Sequence, residues 1–206
     1  MQQPSATAQN AVAFAQQPTI QVRDASGNAV AAAVSVTAAI ASGGGALGGT
    51  TTVVTNGSGL ATFAGLSITG AVGARTLQFT SAGLTTATSS AINITPGAAT
   101  QLVMVQQPSA SAASGAAFAQ QPTVQLRDAS GNDVAGAVTV TAAIASGGGT
   151  LGGTVSATTS AGGLATFTNL SIPGLVGSRT LQFTSAGLTP APRALSASPP
   201  ERPRNW

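Results

Sequence analysis

Apolar and polar residues alternate along much of the chain. The alternation is regular in "TIQVR" (19–23), "VSVTAAI" (34–40) and "TLQFT" (76–80), where one set of alternate positions is apolar and the other carries Thr, Gln, Ser, Arg or, at Ala39, Ala. A period of two is that of a β-strand with one face buried and one in water. Gly and β-branched residues interrupt every stretch that is long enough to form an α-helix, so the pattern predicts strands and not helices.

Turn-forming clusters separate these apolar runs. They are "DASGN" (24–28), "SGGGALGG" (42–49), "TNGSG" (55–59) and "SAGL" (81–84). Gly supplies positive φ and Asp or Asn binds its own backbone, so each cluster has a physical reason to reverse the chain. Seven or so short strands in about 100 residues predict a two-sheet sandwich of the immunoglobulin (Ig) type.

The same pattern occurs twice. Residues 1–85 match residues 105–189 at a constant offset of 104, with 61 identities in 85 positions and no insertion. A repeat of about 100 residues is the usual size of a domain that folds alone. The sequence therefore predicts an all-β fold of two tandem immunoglobulin-like β-sandwich domains. We place the first at 1–96, the second at 97–189 and a Pro/Arg-rich tail at 190–206.

The two repeats differ at their first strand. Repeat two begins with "AATQLVMVQ" (98–106), whose pattern predicts a strand. Of this strand, repeat one retains only Met1. The first strand of repeat one is therefore expected to be largely missing.

They differ again at their last strand. Repeat one has Ile92 and Ile94, where the offset places Ser196 and Ser198 in repeat two. Prolines also enter this stretch, and each removes a backbone donor from a sheet ladder. We expect the last strand of repeat two to be lost or altered, and the chain from about Pro190 onward to be disordered.

Several segments resemble a known family. These are "QVRDASGNAV" and "NGSGLATFAGLSI", their second copies "QLRDASGNDV" and "AGGLATFTNLSI", and the linker "TPGAATQLVMVQQP". Up to Thr189 the chain resembles the bacterial Ig-like repeats of large surface proteins, including the invasin and intimin type. That resemblance implies an extracellular array whose modules act as a stalk, holding an adhesive or enzymatic end away from the cell.

The residue types narrow the chemistry. The chain has no His, Lys, Tyr or Cys, and its carboxylates are Asp24, Asp128, Asp133 and Glu201. Asp24 and Asp128 are copies of each other, one per repeat, so a catalytic dyad is not expected. Ser and Thr lack an activating base. We predict no catalytic, cofactor-binding or metal-binding residues, no disulfide and no Lys–Asn isopeptide bond; the protein is not expected to be an enzyme.

The high sequence pI does not indicate nucleic-acid binding. The formal net charge is +3, of which residues 1–188 contribute +1. That is too little to neutralise several phosphates. The longest apolar run, "AVAAAV" (29–34), is too short to span a membrane. The opening "MQQPSATAQN" has neither a basic start nor an apolar stretch. An export signal is therefore expected outside these residues, and the location is expected to be extracellular or the cell surface.

Three groups of residues resemble sites and have a structural interpretation. Asp128, Asn132 and Asp133 could offer oxygens to calcium, but an Asx-stabilised hairpin turn is the better interpretation. The Gly-rich loops lack the Lys and the helix of a phosphate loop, so we interpret them as flexible connections that could contact a ligand. Asn56, Asn93 and Asn169 begin glycosylation sequons, and we interpret them first as turn and strand residues.

The preferred functional hypothesis is a structural or adhesive module, a pair of Ig-like repeats serving as stalk or spacer. Its expected partners are neighbouring repeats and a host or surface receptor or polysaccharide. One alternative is a carbohydrate-binding accessory module of a secreted enzyme, although such sites usually present exposed aromatic rings. Another is a subunit of an extracellular fibre joined by strand donation.

Overall fold

The computed structural model describes the backbone of residues 1–198 and the side chains of residues 1–191, a part of the chain that contains strands and no helix. The chain divides into two compact units: Met1–Gly97 (unit 1) and a second that begins at Ala98 (unit 2). The all-β class predicted from the period of two is confirmed. The division falls one residue after the boundary that the sequence predicts.

Unit 1 contains ten short strands. They are β1 (Thr7–Gln9), β2 (Thr19–Gln21), β3 (Ser35–Ser42), β4 (Ala46–Gly48), β5 (Thr52–Val54), β6 (Leu60–Thr62), β7 (Ser67–Thr69), β8 (Gly73–Thr80), β9 (Ala87–Thr88) and β10 (Ile92–Thr95). The largest sheet has the order β1-β10-β8-β3-β5, with β9 also paired to β8, and smaller sheets pair β2 with β6 and β4 with β7. Within the largest sheet β1 runs parallel to β10, and the other pairs are antiparallel.

One apolar core fills unit 1. It is built from the inward positions of the alternating runs, and Leu77, Ile92 and Ile94 are at most 1% exposed. The rings of Phe63 and Phe79 lie 5.3 Å apart at a tilted angle, a favourable arrangement for aromatic pairs. The polar positions of the same strands face outward, as the alternation requires.

Unit 2 repeats this pattern. Its strands are β11 (Gln101–Gln106), β12 (Thr123–Arg127), β13 (Thr139–Ser146), β14 (Ser156–Thr158), β15 (Leu164–Thr166), β16 (Gly177–Thr184) and β17 (Ala191–Ser198). They form one sheet of order β11-β12-β15 and another of order β14-β13-β16-β17. Its core uses the 104-residue counterparts of most core residues of unit 1, together with Leu102, Leu126 and Ala191. The ring centroids of Phe167 and Phe183 lie 5.1 Å apart.

The sequence predicts that the last strand of repeat two is lost or altered and that the tail from Pro190 is disordered. The structure has an altered strand there, because β17 (Ala191–Ser198) pairs with a register shift, and residues 191–198 are therefore a strand and not part of the disordered tail that we expect. Strand β17 pairs antiparallel with β16, and Ser196 lies opposite Arg179 just as Ile92 lies opposite Arg75 in unit 1. Backbone hydrogen bonds hold this ladder whatever the side chains are. Pro192 falls where the register shifts between Leu181 and Phe183, and such an irregularity tolerates a residue without an N–H. Residues 199–206 lie outside the described part of the chain.

The two units differ in the pairing of the segments that precede β2 and β12. Gln2 makes a single antiparallel bridge with Thr19, whereas the equivalent strand β11 in unit 2 pairs with β12 from Gln101 to Gln106. Strand β2 therefore belongs to a sheet of two strands, and its counterpart β12 belongs to a sheet of three.

Candidate functional site

The carboxylates predicted to stabilise turns do so. The Oδ1 atom of Asp24 accepts hydrogen bonds from the N–H groups of Ser26 and Asn28 at 2.9 and 2.8 Å. The side-chain amide of Asn28 donates to Oδ2 of Asp24 at 3.0 Å. Both oxygens of this carboxylate are therefore used within its own turn, which is the Asx-turn geometry.

Hydrogen bonding changes the acidity of Asp24. The side-chain amide of Asn28, followed by the backbone N–H of the same residue, holds the pKa of Asp24 below its usual value of 3.8. These donors stabilise the ionised form, because each points at a carboxylate oxygen. At neutral pH Asp24 is therefore a charged turn residue and not a proton donor.

The second copy of this turn is buried. Asp128 is 1% exposed, and it accepts hydrogen bonds from Ser130 and from the backbone and side chain of Asn132, each at 2.9 Å. The third member of the candidate calcium cluster points elsewhere, since Asp133 pairs with Nε of Arg127 at 2.9 Å. No group of three metal-ligating side chains occurs among the residues that the structure describes.

The glycine-rich loop of unit 1 is hydrogen-bonded to a buried arginine. Arg75 is 5% exposed, and its Nε donates to the carbonyl oxygen of Gly44 at 2.9 Å. Its other nitrogens donate to the carbonyl oxygens of Ala74 and Ala71. The buried guanidinium group thus links the loop to the neighbouring turn. Its hydrogen bonds to carbonyl oxygens compensate part of the free-energy cost of removing the charge from water.

Arg179 occupies the same place in unit 2 with fewer contacts. It is 8% exposed and donates to the carbonyl oxygens of Ser178 and Leu175, while its buried Nε has no hydrogen-bond partner. The sequence analysis did not assign these arginines a role. A signal was present, because Arg75 lies two and four residues before the core residues Leu77 and Phe79 and so shares their inward face.

The three sequon asparagines lie at exposed positions in turns or strands. Asn56 accepts hydrogen bonds from the N–H groups of Ser58 and Leu60, Asn93 lies in β10, and Asn169 has a positive φ of 56°. Their interpretation as turn and strand residues agrees with these positions.

Aromatic side chains are not presented for sugar stacking in the described part of the chain. All six Phe residues are buried, with exposures between 0% and 4%. Trp206 lies outside the described residues. An exposed ring of the kind that carbohydrate-binding modules use is therefore not found among residues 1–191.

Comparisons with known proteins gave matches among solved structures. No family model and no curated protein matches the chain. The D0-D1 domain of intimin is 20% identical, with 93% of this chain and 94% of that one covered and a TM-score of 0.35. Invasin, described as a bacterial integrin-binding protein, is 17% identical over 96% of this chain and 38% of its own, with a TM-score of 0.40.

Further similar structures belong to an adhesin and to an enzyme. The Escherichia coli adhesin FdeC is 16% identical over 95% of this chain and 62% of its own, with a TM-score of 0.44. A β-glycosidase from Bacteroides vulgatus is 13% identical over 79% of this chain and 21% of its own, with a TM-score of 0.42. Bacterial adhesin-type Ig-like domains, the class that the sequence resembles, are thus found among the similar structures. Because identities are low and TM-scores lie below 0.5, we infer function from this chain's own residues.

Proposed function

We propose that the chain is a structural and adhesive module: two tandem Ig-like β-sandwich domains that serve as stalk or spacer in a bacterial extracellular or cell-surface array. The observation that carries the proposal is the repetition itself. Two units share the Asp24/Asp128 turn, the register of the β3–β8 and β13–β16 pairs and most core positions, at an offset of 104 residues. Repetition of one folded module adds length without adding chemistry, which is what a spacer needs.

The polar groups support this proposal by what they contact. Asp24 and Asp128 complete turns, and Arg127 pairs with Asp133. Arg75 fastens a loop, and Arg179 donates to carbonyl oxygens next to it in the chain. Each of these charged groups is thereby engaged in local structure, while outward strand positions carry mainly Thr, Ser and Gln.

No helix in the described part of the chain has the length and apolarity needed to cross a membrane.

A matched pair of core variants tests whether the modules stand alone. Leu77 and Leu181 are equivalent, and both are fully buried. Replacing either with Ala should lower the free energy of unfolding of its own unit by about 2–5 kcal/mol, because a cavity remains in the core. Amide hydrogen exchange in the full chain, read residue by residue, should show faster exchange in the mutated unit and unchanged exchange in the other. Equal loss of protection in both units would contradict independent modules.

A further inference from the structure

The guanidinium group of Arg179 lies buried in unit 2 with one nitrogen unsatisfied. Nη1 donates to the carbonyl oxygen of Ser178 at 3.2 Å, and Nη2 donates to that of Leu175 at 2.8 Å. Nε has no hydrogen-bond partner among the described residues, although the residue is 8% exposed. Buried N–H groups are nearly always hydrogen-bonded in native proteins, so this donor requires an explanation.

The equivalent arginine of unit 1 identifies the contact that differs. Nε of Arg75 donates to the carbonyl oxygen of Gly44, in the glycine-rich loop, at 2.9 Å. Gly148 is the counterpart of Gly44 at the offset of 104, and its carbonyl oxygen does not accept from Arg179. The terminal nitrogens of both arginines donate to equivalent carbonyl oxygens. The two copies therefore differ in the contact that the glycine-rich loop makes.

One residue explains why this loop is held less well in unit 2. In unit 1, β4 pairs with β7 over three positions, and the last pair joins Ala46 with Thr69. The corresponding segments of unit 2 form a single bridge, between Gly152 and Ser171. Pro173 takes the position of Thr69, and a proline has no N–H to donate to the partner strand. The pairing that fixes the end of the loop in unit 1 is therefore not formed in unit 2.

The glycine-rich loop also lies farther from the adjacent turn in unit 2. Gly45 and Gly149 are equivalent, and both have a φ of 98°. A Cβ atom on Gly45 would lie 2.9 Å from the carbonyl oxygen of Thr69, whereas one on Gly149 would lie 3.7 Å from that of Pro173. The atom nearest to this second Cβ would be Nε of Arg179, at 3.6 Å. The unsatisfied donor thus faces a loop whose carbonyl groups do not reach it.

No carboxylate of the described residues neutralises the charge of Arg179. The ion pair in this part of the chain joins Arg127 to Asp133, and Asp128 accepts hydrogen bonds within its own turn. Buried charges are normally paired, and the two oxygens of a carboxylate match neighbouring N–H groups of a guanidinium. A carboxylate at Nε would therefore supply both an acceptor and a negative charge.

The turn beside Arg179 presents apolar side chains to solvent. Leu175 is 88% exposed and Val176 is 46% exposed. The turn itself is held in place, because Oγ of Ser114 donates to the carbonyl oxygen of Gly174 at 2.9 Å and accepts from its N–H at 3.0 Å. An exposed Leu next to a buried cation favours a ligand in which an apolar group adjoins the carboxylate. A sugar acid fits less well, because all six Phe rings are buried and none is available for stacking.

We propose that unit 2 binds an acidic peptide segment through Arg179. An Asp or Glu carboxylate of the peptide accepts a hydrogen bond from Nε when the loop at 147–149 shifts aside, and an apolar neighbour in the peptide packs on Leu175. The shift requires little, because residues 147–149 are all Gly and the adjacent pairing is a single bridge. Unit 1 does not bind this ligand, since Gly44 already accepts from Nε of Arg75. The inference goes beyond the spacer role and does not depend on it.

NMR of the arginine Nε–H groups in the full chain tests the proposal. The probe is the peptide acetyl-Gly-Leu-Asp-Leu-Gly-amide, and its matched control carries Asn in place of Asp. We expect the Nε–H resonance of Arg179 to shift saturably with the Asp peptide, while that of Arg75 does not move. The Asn peptide should bind at least about tenfold more weakly, because it lacks the charge that strengthens the hydrogen bond.

Exchanging the residue that distinguishes the two loops locates the site. Pro173→Thr introduces the residue of unit 1, so the carbonyl of Gly148 should return to Nε and peptide binding should weaken by about tenfold. Thr69→Pro is the reciprocal change in unit 1, and it should make the Nε–H resonance of Arg75 respond to the peptide. The backbone amide spectrum of each variant reports whether its fold is retained.

A second pair of variants tests the apolar contact. Leu175→Ser should weaken peptide binding several-fold, because it removes apolar surface that the ligand covers. Val54→Ser is the matched control, since Val54 is 66% exposed in unit 1, and it should leave binding unchanged.

Four results would overturn the assignment. They are an unmoved Arg179 resonance at millimolar Asp peptide, equal affinity for the Asp and Asn peptides, unchanged affinity after Pro173→Thr, and a shift of this resonance with oligogalacturonate but not with the peptide. The last result would identify a sugar acid, and not a peptide, as the ligand.

Discussion

Gly43 and Gly44, in the glycine-rich loop of unit 1, have similar φ angles but different surroundings. Gly43 has a φ of 88°, and a Cβ atom there would lie 2.4 Å from the carbonyl oxygen of Ala74. Gly44 has a φ of 70°, and a Cβ atom there would meet nothing within 4 Å. Both need a left-handed backbone, but Gly43 also needs the space that a side chain would take.

Substitution of each glycine by Ala separates the stability cost of backbone strain from that of a steric clash. Gly44→Ala should lower the free energy of unfolding of unit 1 by about 1–2 kcal/mol, the cost of a left-handed backbone for Ala. Gly43→Ala should cost about 1–3 kcal/mol more, because the methyl group also collides with backbone. Denaturant unfolding of the full chain, with exchange at unit 1 amides, measures both; equal losses would show that the contact with Ala74 does not matter.

The Asx turn of unit 1 gives a pH dependence with a defined sign. Because hydrogen bonding from Asn28 lowers the pKa of Asp24 below 3.8, this carboxylate stabilises the folded state above that pH. Its contribution is lost as the pH falls through the folded-state pKa. An NMR titration of the Asp24 carboxyl should give a midpoint below 3.8, and Asn28→Ala should raise it. A midpoint at or above 3.8 in the unchanged protein would contradict this assignment.

Strands β10 and β17 show what a strand needs from its side chains. Ile92 and Ile94 are buried in unit 1, and Ser196 and Ser198 take the same register positions in unit 2. The ladder forms in both, so pairing follows from the backbone and from the neighbouring strand. The apolar residues contribute burial and not the existence of the strand.

Replacing Ile92 with Ser, the residue at the equivalent position of unit 2, measures how much burial of this side chain contributes to the stability of unit 1. Ile92→Ser should lower the free energy of unfolding of unit 1 by about 2–5 kcal/mol, because a fully buried side chain is removed and a hydroxyl is buried. Asn93→Ser, on the exposed face of the same strand, should change it by no more than about 0.5 kcal/mol. Equal effects of the two variants would contradict the inward assignment of Ile92.

The alternation of apolar and polar residues is sufficient to predict the strands but not to predict where they begin and end. Runs such as 76–80 predicted core positions because a period of two fixes which face is buried. The prolines after Thr189 indicate a last strand that is lost or altered. Strand β17 forms in an altered register, because each proline removes a single donor and the register shift accommodates Pro192. The role of Arg75 depends on carbonyl oxygens from two loops, which no local pattern reveals.

At the scale of the whole molecule, each unit has its own core and its own turns. Unit 1 is centred on Phe63 and Phe79, and unit 2 on Phe167 and Phe183. A module with its own core can hold load without help from its neighbour. The proposed stalk function therefore predicts that the chain resists extension in two steps and not in one.

Single-molecule stretching of the full chain tests this claim most directly. We expect two separate unfolding events, each releasing roughly 300 Å of contour length, since about 100 residues extend by some 3.3–3.6 Å each. Leu77→Ala should lower the force of one event and Leu181→Ala that of the other, which assigns them to the units. One cooperative event, or extension without a force peak, would contradict two independently folded modules and with them the proposed stalk.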